Sequence, residues 1–407
     1  MEEWNVKKLM ILGGGVNQLG LIRAARAYGC RVILCDNDTR CAAYAQADVF
    51  CHINITDADR LTEQGRIIGI DGIISNSEIA MKTVAVVAQR LGLPGNPPES
   101  IAIMQSKHDF RIFQEKIQSF APKNRILRSA DHITQTIQDL SYPIIVKPEQ
   151  CSGTRGTRKF ANADLPEIRA AVEECISYSR NKVCTVEEYV QMPKLAVLEG
   201  DVFVNEGRFF WGGLYFTYRS KDLPMVPMTY VSPYVDSAAH MERIQYELSR
   251  IFNRLGIRTG EYNVEAYFDS DDHFFVIEIN ARQGGHGLPA YVKLATGVDM
   301  DKLLVTTAVG DNTYFEEVLN SPLKQRYATR HTVFGHKSGH FSGIYIHEEI
   351  RKYVVQVEQE IPVGALVKES VNGSGAIGFV NLLFESFEQQ HYYSENIEQY
   401  IYPEMVY

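Results

Sequence analysis

The chain lacks the features of secreted, membrane-spanning and nucleic-acid-binding proteins. Its 407 residues carry a formal net charge of −9, so no excess of basic residues points to a nucleic acid or to an anionic membrane surface. The apolar run from Leu9 to Leu12 is too short for the core of a signal peptide or for a membrane span. The seven cysteines form no C-x-x-C pair and are odd in number, which fits a reducing compartment. We therefore expect a cytoplasmic protein.

The sequence also lacks internal repeats and low-complexity linkers. Hydrophobic residues make up 45% of the chain and charged residues 22%, as in an ordinary globular protein, and the length predicts two or three packed units. Strand-like runs alternate with helical patterns up to about residue 96, which predicts a Rossmann-like α/β domain with a parallel sheet. After a proline-rich boundary at 93–98, strands and helices interleave in an α+β pattern.

Two oxygen-bearing side chains share one face of the strand-like segment from Phe274 to Asn280. Residues two apart in a strand point the same way, so Glu278 and Asn280 project together, and Glu265 lies on the preceding predicted strand. Two carboxylates and an amide oxygen suit a hard divalent cation such as Mg²⁺, which also binds substrate phosphates. Arg282 follows two positions on and can hold a phosphoryl oxygen. An acidic strand end closed by a turn is the alternative.

A lysine ends the apolar strand-like run 144–148. Lys147 is followed by the loop Ser152-Gly153-Thr154-Arg155-Gly156, whose backbone N–H groups can cover phosphates. The order is not that of a Walker loop, and the glycine cluster near residue 14 lacks the G-x-G-x-x-G spacing of dinucleotide-binding folds. A structural turn with a solvent-reaching lysine remains the alternative.

Taken in order, these elements resemble the ATP-grasp superfamily, and in particular its carboxylate-amine (amino acid) ligases. The series is an α/β domain, Lys107 in Ser-Lys-His-Asp, the Val-Lys-Pro strand with its loop, the hinge Glu-Glu-Tyr-Val at 187–190, and the metal-binding strand. The resemblance implies a Rossmann-like pre-ATP-grasp domain at 1–96 and two α+β ATP-grasp lobes at 97–182 and 183–310. The second lobe would carry the metal site, and a C-terminal lobe would span 311–407.

The resemblance also implies a role for each matched residue. Lys107 and Lys147 would contact the α- and β-phosphates of ATP, with Lys147 and Arg282 serving catalysis. The loop would close over the β- and γ-phosphates, and its residues are Ser152, Gly153, Thr154, Arg155 and Gly156. The hinge beginning at Glu187 would hold adenine through the backbone of Glu188 and Val190. One or two Mg²⁺ or Mn²⁺ ions would bind Glu265, Glu278 and Asn280, while Arg282 stabilises the transferred phosphoryl group.

One position departs from the family. Its members usually carry a ribose-binding glutamate about seven residues beyond the first hinge glutamate, but Lys194 stands there and the nearest later carboxylate is Glu199. The ribose contact is therefore left open between the region of Glu199 and another group.

The turn after Arg282 is similar to the Asn-x-Arg-x-Gly-Gly-x-His turn of ligases that join amino acids. In this chain the two glycines adjoin the histidine directly. Gly285 and His286 would then meet the substrate, or His286 would steer the amine, although His286 could instead bond only to backbone. Glu78 follows a strand end, where parallel sheets bind ligands, and could either face the substrate or act as the first acid of its helix. Arg330 could reach a substrate carboxylate from the C-terminal lobe, but a surface position is the favoured interpretation. A metal site at His331, His336 and His340 is disfavoured because glycines interrupt the spacing.

The resemblance implies an ATP-dependent ligase that phosphorylates a carboxylate to an acyl phosphate and couples it to an amine, releasing ADP and phosphate. The substrates would be small molecules, and a homodimer is one assembly that the chain could form, since homodimers are common among soluble enzymes. A purine-biosynthesis enzyme like phosphoribosylglycinamide synthetase and a bicarbonate-using carboxylase are alternatives within the fold. A non-catalytic nucleotide-binding protein is a more remote one.

Overall fold

The computed structural model describes residues 6–151, 154–193, 196–220, 226–285, 287–370, 373 and 375–406. Within these residues, strands form one parallel sheet near the N-terminus and three antiparallel sheets. The predicted α/β and α+β fold class is confirmed. None of the described helices combines the length and hydrophobicity needed to cross a bilayer.

The N-terminal unit is a parallel sheet with the strand order β3-β2-β1-β4. Its elements are β1 (Lys8–Leu12), α1 (Leu19–Tyr28), β2 (Arg31–Asp36), β3 (Val49–His52), α2 (Ala58–Ile68), β4 (Gly72–Ile74) and α3 (Met81–Leu91). The strands are continuous apolar runs because helices cover both faces of the sheet. All four strands end at the same edge, where the loop after β4 carries Glu78.

A second unit is built on an antiparallel sheet with the order β5-β8-β6-β7. Its elements are α4 (Pro98–Met104), α5 (Lys107–Lys116), β5 (Asn124–Leu127), α6 (Ile133–Ile137), β6 (Ile144–Pro148), β7 (Arg158–Phe160), α7 (Leu165–Tyr178) and β8 (Cys184–Glu188). Ile144 and Val146 pack into the core beneath α7. Since side chains alternate along β6, Lys147 lies on the opposite face. β8 pairs with β5 and β6, although it begins after the proposed boundary at residue 182.

The largest sheet has eight strands in the order β13-β12-β9-β10-β11-β14-β18-β16, and a small sheet has the order β17-β15-β19. Their strands are β9 (Ala196–Asn205), β10 (Arg208–Arg219), β11 (Pro227–Ser232), β12 (Thr259–Phe268), β13 (Phe274–Asn280), β14 (Tyr327–Phe334), β15 (Gly339–Ile346), β16 (Val354–Gln359), β17 (Leu366–Val367), β18 (Ala376–Phe384) and β19 (Ile401–Val406). The helices are α8 (Ala238–Arg254), α9 (Leu288–Thr296), α10 (Met300–Ala308), α11 (Thr313–Asn320), α12 (Glu348–Arg351) and α13 (Phe387–Glu395).

The two faces of the large sheet differ in chemistry near β13, β12 and β9. On one face, Val264 and Ile279 pack against Leu248 and Phe252 of α8 in a continuous hydrophobic core. Other residues of the same strands, among them Glu265, Glu278 and Asp201, are polar and turn toward the opposite face. The candidate site is built on this polar face. The proposed division of the chain at residues 96, 182 and 310 remains a proposal.

Candidate active site

Three carboxylates form a row across three neighbouring strands. Glu278 of β13 lies directly opposite Glu265 of β12, and Glu265 lies opposite Glu199 of β9. Directly paired residues of antiparallel strands share a face, so the three side chains point the same way. Asn280, Asn263 and Asp201 form the adjacent row in the same register. The structure therefore brings the three predicted metal ligands together.

Glu278 is surrounded by cations from separate parts of the chain. Lys107 Nζ lies 3.8 Å from Glu278 Oε2, and Asn280 Nδ2 donates a 3.0 Å bond to Oε1. Burial alone would raise the pKa of Glu278, but Lys107, Asn280, Lys147 and Arg282 together hold this pKa below its usual value. Glu278 is thus kept ionised, as a metal ligand must be.

The donor set fits Mg²⁺ by its chemistry. Glu265 and Glu278 offer carboxylate oxygens from adjacent strands, and their side chains keep 20% and 29% of their surface exposed. Asn280 adds an amide oxygen, and hard oxygen donors of this kind suit Mg²⁺ and Mn²⁺. Arg219 Nη2 donates a 2.8 Å bond to Glu265 Oε2, so one carboxylate oxygen of Glu265 already has a cationic partner within the protein.

Lys147 is held by a buried ion cluster. Glu187 of β8 bonds Lys147 through one oxygen, and its other oxygen lies 3.2 Å from Arg111 Nε. Burial opposes ionisation of Glu187, but Arg111 and Lys147 outweigh it and lower the pKa of Glu187 to about 2. Arg111 also donates to the backbone oxygens of Val276 and Ile277 at 3.2 and 2.8 Å. The predicted phosphate lysine is therefore tied to the strand that carries Glu278.

Arg111 and Glu149 have structural roles that the sequence interpretation missed. Ser106 Oγ and the backbone N of His108 donate to Glu149 Oε1 at 2.6 and 3.0 Å, and Thr185 Oγ1 bonds the other oxygen. Glu149 thus joins the start of α5, which carries Lys107, to the strands that carry Lys147 and Glu187. Helical spacing from Lys107 could have indicated Arg111, because residues four apart share a helix face. The sequence offers no comparable signal for Glu149 beyond its position after Lys147.

The predicted adenine hinge is anchored on both sides. The backbone N of Glu188 donates to Lys123 O at 2.9 Å, and the N of Tyr189 donates to Pro143 O at 2.8 Å. Tyr267 Oη donates a 2.6 Å bond to the carbonyl of Val190, joining the hinge to β12. These bonds fix the backbone of the hinge against the segments before β5 and β6 and against β12.

The described part of the predicted phosphate loop is a tight turn. Thr154 and Gly156 both adopt positive φ values, 58° and 70°. A Cβ atom at Gly156 would lie 2.8 Å from Tyr178 and 3.3 Å from Pro148, so glycine is required there. Arg155 is exposed. Ser152 and Gly153, also predicted for this loop, lie outside the described residues.

Arg282 joins the large sheet to the N-terminal unit. Its Nε lies 3.2 Å from Glu78 Oε2, and its Nη1 donates a 2.6 Å bond to the carbonyl of Gln283. Both side chains of the ion pair retain 19% exposure, so they are reachable from solvent. Gly285 is exposed next to this turn, whereas His286 lies outside the described residues. The structure places Glu78, Arg282 and Gly285 around one turn.

Arg330 is buried, which corrects the expectation from the sequence that it lies at the surface. It is only 1% exposed and donates two bonds to Glu358, at 3.0 and 2.9 Å, and one to Asn381 at 2.9 Å. A Cβ atom at Gly287 would lie 3.1 Å from Arg330 Nη2. Arg330 therefore packs behind the turn that carries Arg282, and its charge is balanced within the protein.

Glu199 lies deep in the sheet and is only 4% exposed. Its burial and the neighbouring carboxylate of Glu265 raise its pKa to about 8, although Arg219 acts in the opposite direction. Lys194, the other position considered for the ribose, lies outside the described residues. The ribose contact therefore stays open.

The three spaced histidines lie apart from this site, in the C-terminal part of the chain. His331 is buried in β14, and its Nδ1 shares a 3.0 Å hydrogen bond with Thr229 Oγ1. Burial lowers the pKa of His331 to about 4. His336 lies 3.2 Å from Glu398, and His340 bonds the carbonyl of Gly364 at 3.0 Å. Among the described residues, these histidines do not meet as a set of metal ligands.

Comparisons with known proteins point to one superfamily. Residues 22–95 match the family model of the ATP-grasp N-terminal domain, and residues 108–307 match that of the D-ala D-ala ligase C-terminus. The carbamoyl phosphate synthase large chain of Xylella fastidiosa (strain Temecula1) is 22% identical over 351 residues, which cover 81% of this chain and 32% of that protein. The chain thus spans about a third of the length of the curated relative.

Solved structures share the fold over nearly the whole chain. The L-amino acid ligase from Bacillus licheniformis superposes with a TM-score of 0.79 at 20% identity, covering 98% of this chain and 99% of its own. Phosphoribosylglycinamide synthetase from Anaerococcus prevotii gives a TM-score of 0.72 at 18% identity, with coverage of 99% and 100%. At these identities the likeness establishes the fold alone. With the two family matches it confirms the predicted membership: the chain belongs to the ATP-grasp superfamily.

Proposed function

We propose that the protein is an ATP-dependent carboxylate-amine ligase that works through an acyl phosphate. One observation carries the proposal: Lys107 Nζ lies 3.8 Å from Glu278 Oε2, and Lys147 and Arg282, from two other segments, also lower the pKa of Glu278. Cations gathered around a metal-ligand carboxylate form a site for a polyanion bound together with a metal ion. ATP with Mg²⁺ has this chemistry, and family membership supports the same nucleotide.

Each charged group has a defined task in this proposal. Lys107 and Lys147 bind the α- and β-phosphates, and Glu187 with Arg111 keeps Lys147 in place. Glu265, Glu278 and Asn280 would hold Mg²⁺, which neutralises charge on the phosphates when bound. Arg282 lies on the turn beyond Asn280 and would meet the charge that develops on the transferred phosphoryl group.

Phosphorylation of a carboxylate is the step that this charge arrangement serves. A carboxylate is a poor electrophile, and its phosphorylation creates a mixed anhydride with phosphate as leaving group. The amine then attacks the carbonyl carbon, the C–N bond forms, the C–O bond to phosphate breaks, and the amine proton is lost to solvent or a base. An acyl phosphate hydrolyses if exposed to water, so the loop at 152–156 would close over it.

The substrates would bind between the Arg282 turn and the N-terminal unit. Glu78 reaches Arg282 from the loop after β4, at the sheet edge where parallel sheets bind ligands. A carboxylate beside the phosphoryl site can bind the ammonium group of an amine or amino acid substrate. Gly285 and His286 would line the same space. None of the seven cysteines forms a disulfide with another, which agrees with the proposed cytoplasmic location, and a homodimer stays part of the proposal.

A phosphate-release screen tests this proposal. The purified chain is incubated with ATP and Mg²⁺ against a matrix of amino acids and amines, with Arg282→Ala as the inactive control. We expect release only when both a carboxylate and an amine are present. Full release with bicarbonate alone would favour the carboxylase alternative, and full release with phosphoribosylamine and glycine would favour the phosphoribosylglycinamide synthetase type. No release with any pair, although ATP binds, would favour a non-catalytic nucleotide-binding protein.

A further inference from the structure

A buried carboxylate beneath the proposed active site has no task in the reaction described above. Asp201 lies in the middle of β9 and has no exposed surface. Both of its oxygens accept from the backbone N of Gly284, at 2.9 and 3.0 Å, and Asn263 Nδ2 donates to Oδ1 at 2.9 Å. Asp201 therefore bonds the turn that carries Arg282 and Gly285.

The local backbone is shaped for this contact. The pairing of β9 with β10 shifts register between Phe210 and Gly213, and Gly213 is paired with Asp201. Such bulges re-aim neighbouring side chains. On the other side of the contact, a Cβ atom at Gly284 would lie 3.2 Å from Asp201 Oδ1, 3.1 Å from Asn263 Nδ2 and 2.7 Å from Leu288. Only glycine lets the turn approach the carboxylate this closely.

The same turn is held at the neighbouring residues. The backbone N of Asn263 donates to the carbonyl of Arg282 at 3.0 Å. Gln283 is 2% exposed and donates a 2.7 Å bond to Asp301 of α10. The backbone on both sides of the Arg282 side chain is therefore fixed, and Asp201 accepts from the N–H of Gly284.

We propose that Asp201 is a positioning residue that fixes the 282–285 turn, so that Arg282 is already directed at the terminal phosphoryl group of bound ATP. This inference rests on the proposed function. A buried carboxylate is costly, and its burial raises the pKa of Asp201 despite the bonds from Asn263 and Gly284. Because both oxygens of Asp201 accept from the Gly284 N–H while Asn263 also holds Oδ1, the carboxylate restricts movement of the turn that carries Arg282.

Nucleotide binding tests the inference without knowledge of the substrates. Affinities for MgADP and for the Mg²⁺ complex of AMP-PNP are measured by calorimetry, and their ratio reports the contact with the terminal phosphoryl group. We expect the unmodified protein to prefer AMP-PNP by about tenfold, the size of one charge-assisted hydrogen bond. Asp201→Ala and Gly284→Ala should both abolish this preference and leave MgADP affinity within about threefold.

Two further variants separate positioning from folding. Asn205→Ala is the matched control, since Asn205 is a buried residue of the same strand whose side chain bonds Asn312 and not the turn. It should keep the preference even if its melting temperature falls as far as that of Asp201→Ala. Arg282→Ala should abolish the preference, and adding Asp201→Ala to it should change the ratio no further, because Asp201 acts through Arg282.

The outcomes separate this inference from the proposed function. If the unmodified protein does not bind MgADP, the proposed function fails and the inference falls with it. If MgADP binds but Asp201→Ala and Gly284→Ala keep the preference, the positioning role is overturned while ATP binding stands. Equal affinity of the unmodified protein for the two nucleotides would also overturn the role. Should Asp201→Ala not fold, Gly284→Ala carries the same test.

Discussion

Lys107 and Glu278 are far apart in the sequence but close in the structure, where Lys107 Nζ lies 3.8 Å from Glu278 Oε2. Lys107 begins α5 and Glu278 lies in β13, so the contact joins a proposed phosphate ligand to a proposed metal ligand. In the proposed function both groups would contact the same Mg²⁺–nucleotide complex.

Replacing Glu278 with Gln should weaken Mg²⁺-dependent nucleotide binding. An amide is a poorer ligand for a hard cation than a carboxylate, and the change also leaves Lys107 without its partner. Titration of MgADP at several Mg²⁺ concentrations measures the effect, and Glu63→Gln on the exposed surface of α2 is the control. An unchanged Mg²⁺ dependence would remove Glu278 from the metal site.

Replacing Arg282 with Ala should lower turnover by about 10²–10³ while leaving MgADP affinity nearly intact. The guanidinium is expected to interact with charge that appears on the transferred phosphoryl group, and ADP lacks that group. Steady-state ADP formation with the best substrate pair from the phosphate-release screen gives the turnover number. A variant with normal turnover would contradict the role assigned to Arg282.

Replacing Glu187 with Gln should destabilise the fold by about 3–5 kcal/mol at neutral pH, because Lys147 and Arg111 would remain buried without their counter-ion. The folded pKa of Glu187 is lowered to about 2. The stability that its ionised form contributes is therefore complete above pH 4.5 and is lost as the pH falls toward 2. Urea unfolding at pH 7 measures the loss. Glu188→Gln is the neighbouring control and should cost about 1 kcal/mol or less.

Replacing Glu199 with Gln should flatten the pH dependence of stability. The pKa of Glu199 is raised from an ordinary value of 4.5 to about 8, so the folded state retains a proton that the unfolded state releases. The carboxylic acid therefore destabilises the protein increasingly between pH 4.5 and 8, by up to about 1.4 kcal/mol per pH unit. Melting temperatures are measured at pH 5 and pH 8 without added Mg²⁺. Between these pH values the melting temperature should fall less for Glu199→Gln than for the unmodified protein. An equal pH dependence would show that Glu199 is ionised when buried.

The parts of the molecule that depend on local pattern could be predicted from the sequence. The parallel N-terminal sheet followed from the alternation of apolar strands and helices, and the strands that carry Lys147 and Glu278 followed from the apolar runs around them. The order of these segments was specific enough to indicate the superfamily, although no single segment was.

The parts that depend on strand register could not be predicted. Asp201 acquires its role because β9 lies beside β12 and because the turn after β13 folds back over both strands. Arg330 was wrongly expected at the surface because its partners Glu358 and Asn381 come from β16 and β18. Such pairings join residues tens of positions apart, and no short segment encodes them.

Transfer of oxygen from the carboxylate substrate to phosphate tests the central claim most directly. In an acyl phosphate mechanism a carboxylate oxygen attacks the γ-phosphorus of ATP and leaves with phosphate when the amine displaces it. With an ¹⁸O-labelled carboxylate we predict one labelled oxygen in each phosphate released, detected by mass spectrometry or by the ³¹P isotope shift. Formation of the amide product with unlabelled phosphate would contradict the proposed mechanism.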